Sequence, residues 1–172
     1  MITHFLILLL SLTGLNNFHY QEDYRESDTI DISHIVIANK WDKTYKFGSA
    51  TDLQKAFGYI KAKRKVDEIL GGFYDNYTYR GLDVYFDKDG WEGTTIKNSE
   101  YKIVLNGHAY MVGNPISKLK AQFPTSYKNR YVDRKLILLF ICSGKVIMDA
   151  TISIAYNTKG LITEIGVNLD NS

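Results

Sequence analysis

The sequence predicts an α+β fold, an antiparallel sheet of about seven to eight strands with two short helices and two possible similar half-domains. Three observations carry that expectation. Apolar and polar residues alternate in run after run, the period of a half-buried strand. Those runs are punctuated by Asx-Gly and Gly-containing turns, such as Asp87-Lys88-Asp89-Gly90, Asn106-Gly107 and Asn157-Thr158-Lys159-Gly160. Helical spacing occurs at only two places. At 172 residues with 45% hydrophobic content, the chain suits one packed domain, placed at 29–172.

The N-terminus comes first. Phe5 to Leu15 is apolar and uncharged. It is too short to span a bilayer, which takes about 20 residues. Its length matches the hydrophobic region of a signal peptide, so residues 1–20 are expected to be a leader and the polar stretch 21–28 a linker. Leu12-Thr13-Gly14 resembles the start of a bacterial lipoprotein cleavage box, but Leu15 stands where that family carries its lipidated Cys. The expectation is secretion or a periplasmic location, without lipidation or a stable membrane span.

Thr29 to Ile37 alternates as a strand, with Ile30, Ile32, His34 and Val36 on one face. Tyr45 and Phe47 suggest a second short strand. Ser49 or Thr51 can cap a helix whose stripe is Leu53, Ala56, Phe57 and Ile60, with Gly58 as an early stop. Lys61 to Glu68 reads as a solvated charged segment, and Gly71-Gly72 ends it. Tyr77 to Phe86 reads as a strand, Thr94 to Ile96 as its partner, and Tyr101 to Val112 as a hairpin around Asn106-Gly107. Asn114 and Pro115 should open a second helix that Pro124 ends. A loop over residues 125–134 follows. Lys135 to Cys142, Val146 to Tyr156 and Leu161 to Leu169 complete the sheet.

Two halves echo each other, at 45–112 and 113–170. Leu53-x-x-x-Phe57 is answered by Leu119-x-x-x-Phe123, and Phe86-Asp87-x-x-Gly90 by Tyr156-Asn157-x-x-Gly160. With Ala56-Phe57-Gly58-Tyr59 and Gln122-Phe123-Pro124 ending the two helices, this order resembles the helix-then-meander repeats of β-lactamase-inhibitor-protein-like proteins. It is also similar to small outer-membrane assembly lipoproteins and to uncharacterised exported proteins of Bacteroidota-type bacteria. The first resemblance implies a concave sheet that binds another protein.

The net charge of +2 argues against a nucleic-acid binder. The single cysteine, Cys142, excludes an intrachain disulfide, and its apolar neighbours suggest a buried, inert thiol. His34 and His108, the two histidines beyond the leader and linker, read as structural or surface residues. With one cysteine they are too few for a structural zinc site. No Gly-x-Ser-x-Gly elbow is present, and no cofactor is expected. Asp83, Asp87 and Glu92 are the carboxylates that could face one another across a hairpin. They leave open a hydrolase that works by acid-base chemistry. The reading favoured over that, and over an immunity-type inhibitor of a toxin, is a non-catalytic binding protein with a protein or cell-envelope partner. Its candidate contacts are Tyr74, Tyr77, Tyr79, Tyr85 and Trp91, because tyrosine gives contact area and a polar tip at low entropic cost. Strand parity opposite to Leu82, Val84 and Phe86 should turn Tyr77, Tyr79 and Tyr85 away from the core.

Overall fold

The computed structural model describes residues 27–66 and 71–169. The expected leader and the linker as far as residue 26 lie outside the described residues.

The first strand among the described residues is β1 (Thr29–Asp31), and the course of the chain after it is set by one carboxylate. Asp31 Oδ1 accepts from the Ser33 backbone N–H (2.9 Å) and hydroxyl (2.6 Å), and Oδ2 accepts from the Gly144 N–H (2.7 Å). These bonds hold its carboxyl down at about 2, the Ser33 hydroxyl contributing most. They also fold Ile32–His34 into a 3₁₀ turn. The strand expected over 29–37 is therefore two strands. The second, β2 (Ile35–Asn39), leaves for a different sheet, and His34 is exposed at the turn.

A short β3 (Thr44–Tyr45) leads to α1 (Ala50–Phe57). Ser49 caps α1 in a reciprocal capping box with Asp52, and Gly58 ends it at φ 98°. Lys63–Val66, expected to be a solvated segment, is strand β4. All four of its residues are exposed and three are basic, which suits the unpaired edge of a sheet. β5 (Phe73–Tyr79), β6 (Leu82–Phe86) and β7 (Trp91–Ile96) form a meander with it. β8 (Tyr101–Leu105) and β9 (His108–Tyr110) make the Asn106-Gly107 hairpin, with φ of 48° and 81° at its tip. His108 lies exposed on that hairpin.

The second helix differs from expectation. Ile116–Leu119 is a 3₁₀ turn, and Pro124 opens a short helix, α2 (Pro124–Lys128), from its first position. Proline lacks an N–H that the first helical turn does not use, so it starts a helix as readily as it stops one. α2 is fastened to the N-terminal strand: Asp28 N–H donates to Ser126 Oγ, and Ser126 N–H donates to Asp28 Oδ2. β10 (Leu136–Ser143), β11 (Val146–Tyr156) and β12 (Ile162–Leu169) follow as expected. Cys142, on β10, is half-buried rather than fully buried.

The α+β class holds, but the strands form two sheets. The larger has eight strands in the order β1-β10-β11-β12-β7-β6-β5-β4; the smaller has the order β3-β2-β8-β9. Among the described residues, all strand pairings are antiparallel except β1 with β10. The large sheet is thus two meanders whose last strands, β7 and β12, pair with each other. The echoed turns occupy matching places, each leading into the last strand of its meander. Asp87 Oδ1 accepts from the N–H groups of Asp89 and Gly90, and Asn157 Oδ1 accepts from those of Lys159 and Leu161. The echoed helices do not match in form: one is α-helix, the other a 3₁₀ turn.

One face of the large sheet builds the core. Ile137, Ile154, Ile165, Ile96, Leu82 and Tyr79 form one cross-strand row. Leu139, Ile152, Val167, Thr94, Val84 and Tyr77 form the next. All but Tyr77 are buried. The small sheet and α1 complete the same core through Ile35, Ile37, Ile103, Leu105 and Leu53. Each fully buried aliphatic side chain contributes roughly 1.5–3 kcal/mol. Among the described residues, no helix is long and apolar enough to cross a membrane.

Candidate functional site

The opposite, outer face of the large sheet has a different composition. Leu138, Ser153, Gly166, Thr95, Asp83 and Thr78 form one row across it. Phe140, Thr151, Asn168, Gly93, Tyr85 and Asn76 form the next. Asp83 is neutralised here by Lys97 at 2.6 Å, and that bond is the main reason the Lys97 ammonium is held above its ordinary pKa.

At the β5–β6 end of this face lies a hollow of about 400 Å³. A volume of that size admits one or two side chains or a small ligand. Tyr74 and Tyr85 form an aromatic corner within it, with ring centres 5.8 Å apart and planes at 70°. Gly93 and Asn168 add further lining. A side chain at Gly93 would meet Asn168 Oδ1 at 3.0 Å and the Val167 carbonyl at 3.2 Å, so glycine lets Asn168 and Tyr85 lie close over the strand. Asp87, Lys88 and Glu92 bring charge to the lining, and Phe73, 58% exposed, adds a third ring. Burial, reinforced by Asp83, raises the Tyr85 phenol above its usual value, and a hydrogen bond with Thr95 opposes that rise.

Of the five residues that the sequence singles out, the structure brings two together, Tyr74 and Tyr85. The outward placement expected of Tyr77 and Tyr79 is reversed. The stretch from Tyr77 to Phe86 is a hairpin rather than one strand, turning at Arg80-Gly81, where Gly81 has φ 90°. That turn resets the parity, so Tyr77 pairs with Val84 and Tyr79 with Leu82, on the core side. Tyr79 is only 9% exposed, and its hydroxyl donates to the Gly58 carbonyl at 2.9 Å. Tyr77 is half-buried edge-on against Phe86, at 5.5 Å. Trp91 is 8% exposed; its indole N–H donates to Thr94 Oγ1 at 2.9 Å and its ring lies 4.4 Å from Phe47. It serves the core and is not a surface contact.

Sequence reading did not anticipate Asn168, Gly93 or Phe73. An isolated glycine inside a strand was the available signal, because it marks a close approach of neighbouring groups. Of the three carboxylates considered together, Asp87 and Glu92 line the hollow and Asp83 does not. Among the described residues, no group of three or more His, Cys, Asp or Glu is placed to hold a metal ion.

Comparison with known proteins returns nothing: no protein family, no curated protein and no solved structure matches the chain.

Proposed function

We propose that the protein is an exported binding protein, non-catalytic, that holds a protein or cell-envelope partner on the outer face of its large sheet. The observation that carries this reading is the aromatic corner of Tyr74 and Tyr85, set in a hollow on a sheet face whose central strands carry small and polar residues there. Tyrosine-walled hollows with a polar rim suit recognition, since a ring supplies area and its rim supplies direction. The resemblance to sheet proteins that bind other proteins points the same way.

The hydrolase reading has one observation in its favour, the presence of Asp87 and Glu92 in one hollow. Against it, Asp87 Oδ1 already accepts two backbone N–H groups of its own turn, at 2.6 and 3.0 Å. That is the work of a turn-forming carboxylate, engaged with its own backbone rather than turned to a reacting group.

The test is affinity capture from the envelope fraction of the native host. The tagged native chain is compared with a Tyr74→Ala/Tyr85→Ala variant whose thermal unfolding shows that it is folded. A partner retained by the native chain and depleted about tenfold or more by the variant is expected, as for central aromatic contacts in interfaces. A captured toxin would make the chain an immunity-type inhibitor acting through the same face. Equal retention by both would overturn the choice of surface. N-terminal sequencing of the captured chain should find a start within residues 21–28. A chain that keeps Met1 in the cytosol would overturn export.

A further inference from the structure

We infer that the hollow at the Tyr74–Tyr85 corner receives an arginine side chain from an extended segment of the partner protein. This rests on the reading that the outer sheet face binds a protein, and it names the chemistry of the anchor.

Three features of the hollow combine toward that ligand. The first is its rings. Tyr74, Tyr85 and Phe73 offer π faces and edges within one small space. Aromatic faces carry negative potential and attract organic cations within about 6 Å. The molecule already uses this contact at Phe73, where the Arg64 guanidinium lies 4.9 Å from the ring centre in the adjoining hollow. The second is charge. The lining holds two carboxylates, Asp87 and Glu92, against one ammonium, Lys88. Lys88 also has Asp89 beside it at 3.8 Å. The balance favours a cation, and in a partly desolvated hollow the attraction exceeds that on open surface. The third is hydrogen-bonding geometry. The Asn168 side-chain amide lines the hollow on the side formed by β12, with its Oδ1 close over Gly93. The carboxylates and the amide oxygen are acceptors.

A guanidinium meets this set better than an ammonium does. It is planar, it stacks on tyrosine, and it presents five N–H donors in a fork that matches a carboxylate. A neutral sugar would use the rings and the acceptors but not the charge. The segment carrying the arginine need only be extended enough to pass over the rim at Phe73 and Lys88, which are both exposed.

The probes are four short blocked peptides or sugars, titrated against the full chain by NMR or calorimetry. They are a Gly-Arg-Gly peptide, its citrulline and lysine counterparts, and a chito-oligosaccharide. The arginine peptide is expected to bind and to shift the Tyr74 and Tyr85 ring signals. Citrulline has the same shape without the charge and should bind about tenfold more weakly, with lysine between them, as cation–π and ion-pair energies imply. Glu92→Gln should weaken the arginine peptide several-fold and Lys88→Gln should tighten it, while neither should change binding of a neutral probe. Raising the salt concentration should weaken binding. Equal binding of arginine and citrulline, signal changes remote from the two rings, or binding of the oligosaccharide alone would each overturn the inference. If these probes fail while the Tyr74→Ala/Tyr85→Ala variant still loses its partner, the binding face stands and only its anchor is wrong. If both fail, the face itself is wrong.

Discussion

Ile152 lies on β11 between Thr151 and Ser153, and the three residues meet two different environments. Ile152 faces the core, packed in a row with Leu139 and Val167, and is fully buried. Thr151 and Ser153 face outward, opposite Asn168 and Gly166, and are half-buried. The same contrast runs along β12 and β7. Inner positions carry Ile165, Val167, Thr94 and Ile96; outer positions carry Gly166, Asn168, Gly93 and Thr95. Two glycines on one face of two neighbouring central strands are unusual for stability alone, because glycine weakens a strand. The difference teaches that the inner face of these strands fills space. The outer face leaves space at Gly93, and that is where the hollow lies.

The largest expected effect tests the inner half of that contrast. Ile152→Ala removes a buried side chain that closely packed neighbours leave little room to replace. It should cost about 2–5 kcal/mol. Thr151→Ala, one residue away on the outer face, should cost about 0.5 kcal/mol, mostly from reduced strand propensity. Urea unfolding of the two variants measures both. Similar costs would mean that the outer face is as tightly packed as the core.

A smaller effect probes the glycines. A side chain at Gly166 would come within 2.6 Å of Ser153 Oγ but stay 3.9 Å from its Cβ. Gly166→Ala should therefore cost about 1 kcal/mol through that crowding. In a Ser153→Ala background the nearest obstruction is gone and only the Asn168 Nδ2 atom, 3.3 Å away, still has to give, so the same change should cost clearly less. The double-mutant cycle should then show a coupling of at least about 0.5 kcal/mol. Additive costs would mean that Gly166 is needed for its backbone and not for the space it leaves.

Much of this architecture was legible in the sequence. The Asn106-Gly107 hairpin, the Ser49 cap, the Asp87–Gly90 turn and the last three strands follow from local chemistry that acts within a few residues. What escaped depends on partners distant in the chain. Asp31 breaks its strand by bonding Ser33 and then Gly144, 113 residues away, and that break sends β2 into a second sheet. Lys63 to Val66 shows no alternation because an exposed edge strand buries neither face. Of the residues singled out as contacts, Tyr74 and Tyr85 meet on the outer face, whereas Tyr77 and Tyr79, expected to point outward, lie on the core side and Trp91 is buried. One unrecognised two-residue turn at Arg80-Gly81 inverts the parity of the tyrosines before it. Asn168 enters the hollow only through the β7–β12 pairing, which joins the two meanders and has no local signature.

A last effect, of about the size of the glycine's, separates an inward tyrosine from an outward one by its hydroxyl. Tyr79→Phe deletes the hydrogen bond to the Gly58 carbonyl and should cost about 1 kcal/mol at neutral pH. Burial, then the neighbouring Tyr101 and Tyr77, push the Tyr79 phenol up to about 12. An unfolded tyrosine titrates near 10. Between those values the unfolded chain has released the proton and the folded chain still holds it. The contribution of Tyr79 is therefore complete below pH about 10 and is lost as pH rises toward 12. Phenylalanine has nothing to release. The stability gap between the native chain and Tyr79→Phe should be constant from neutral pH to about 9, then narrow, pass through zero and reverse toward pH 12, because two pKa units are worth about 2.7 kcal/mol, more than the gap itself. Chemical unfolding at a series of pH values reads this directly. A gap that stayed constant to pH 12 would mean that Tyr79 ionises as readily folded as unfolded, which an inward, hydrogen-bonded phenol does not do.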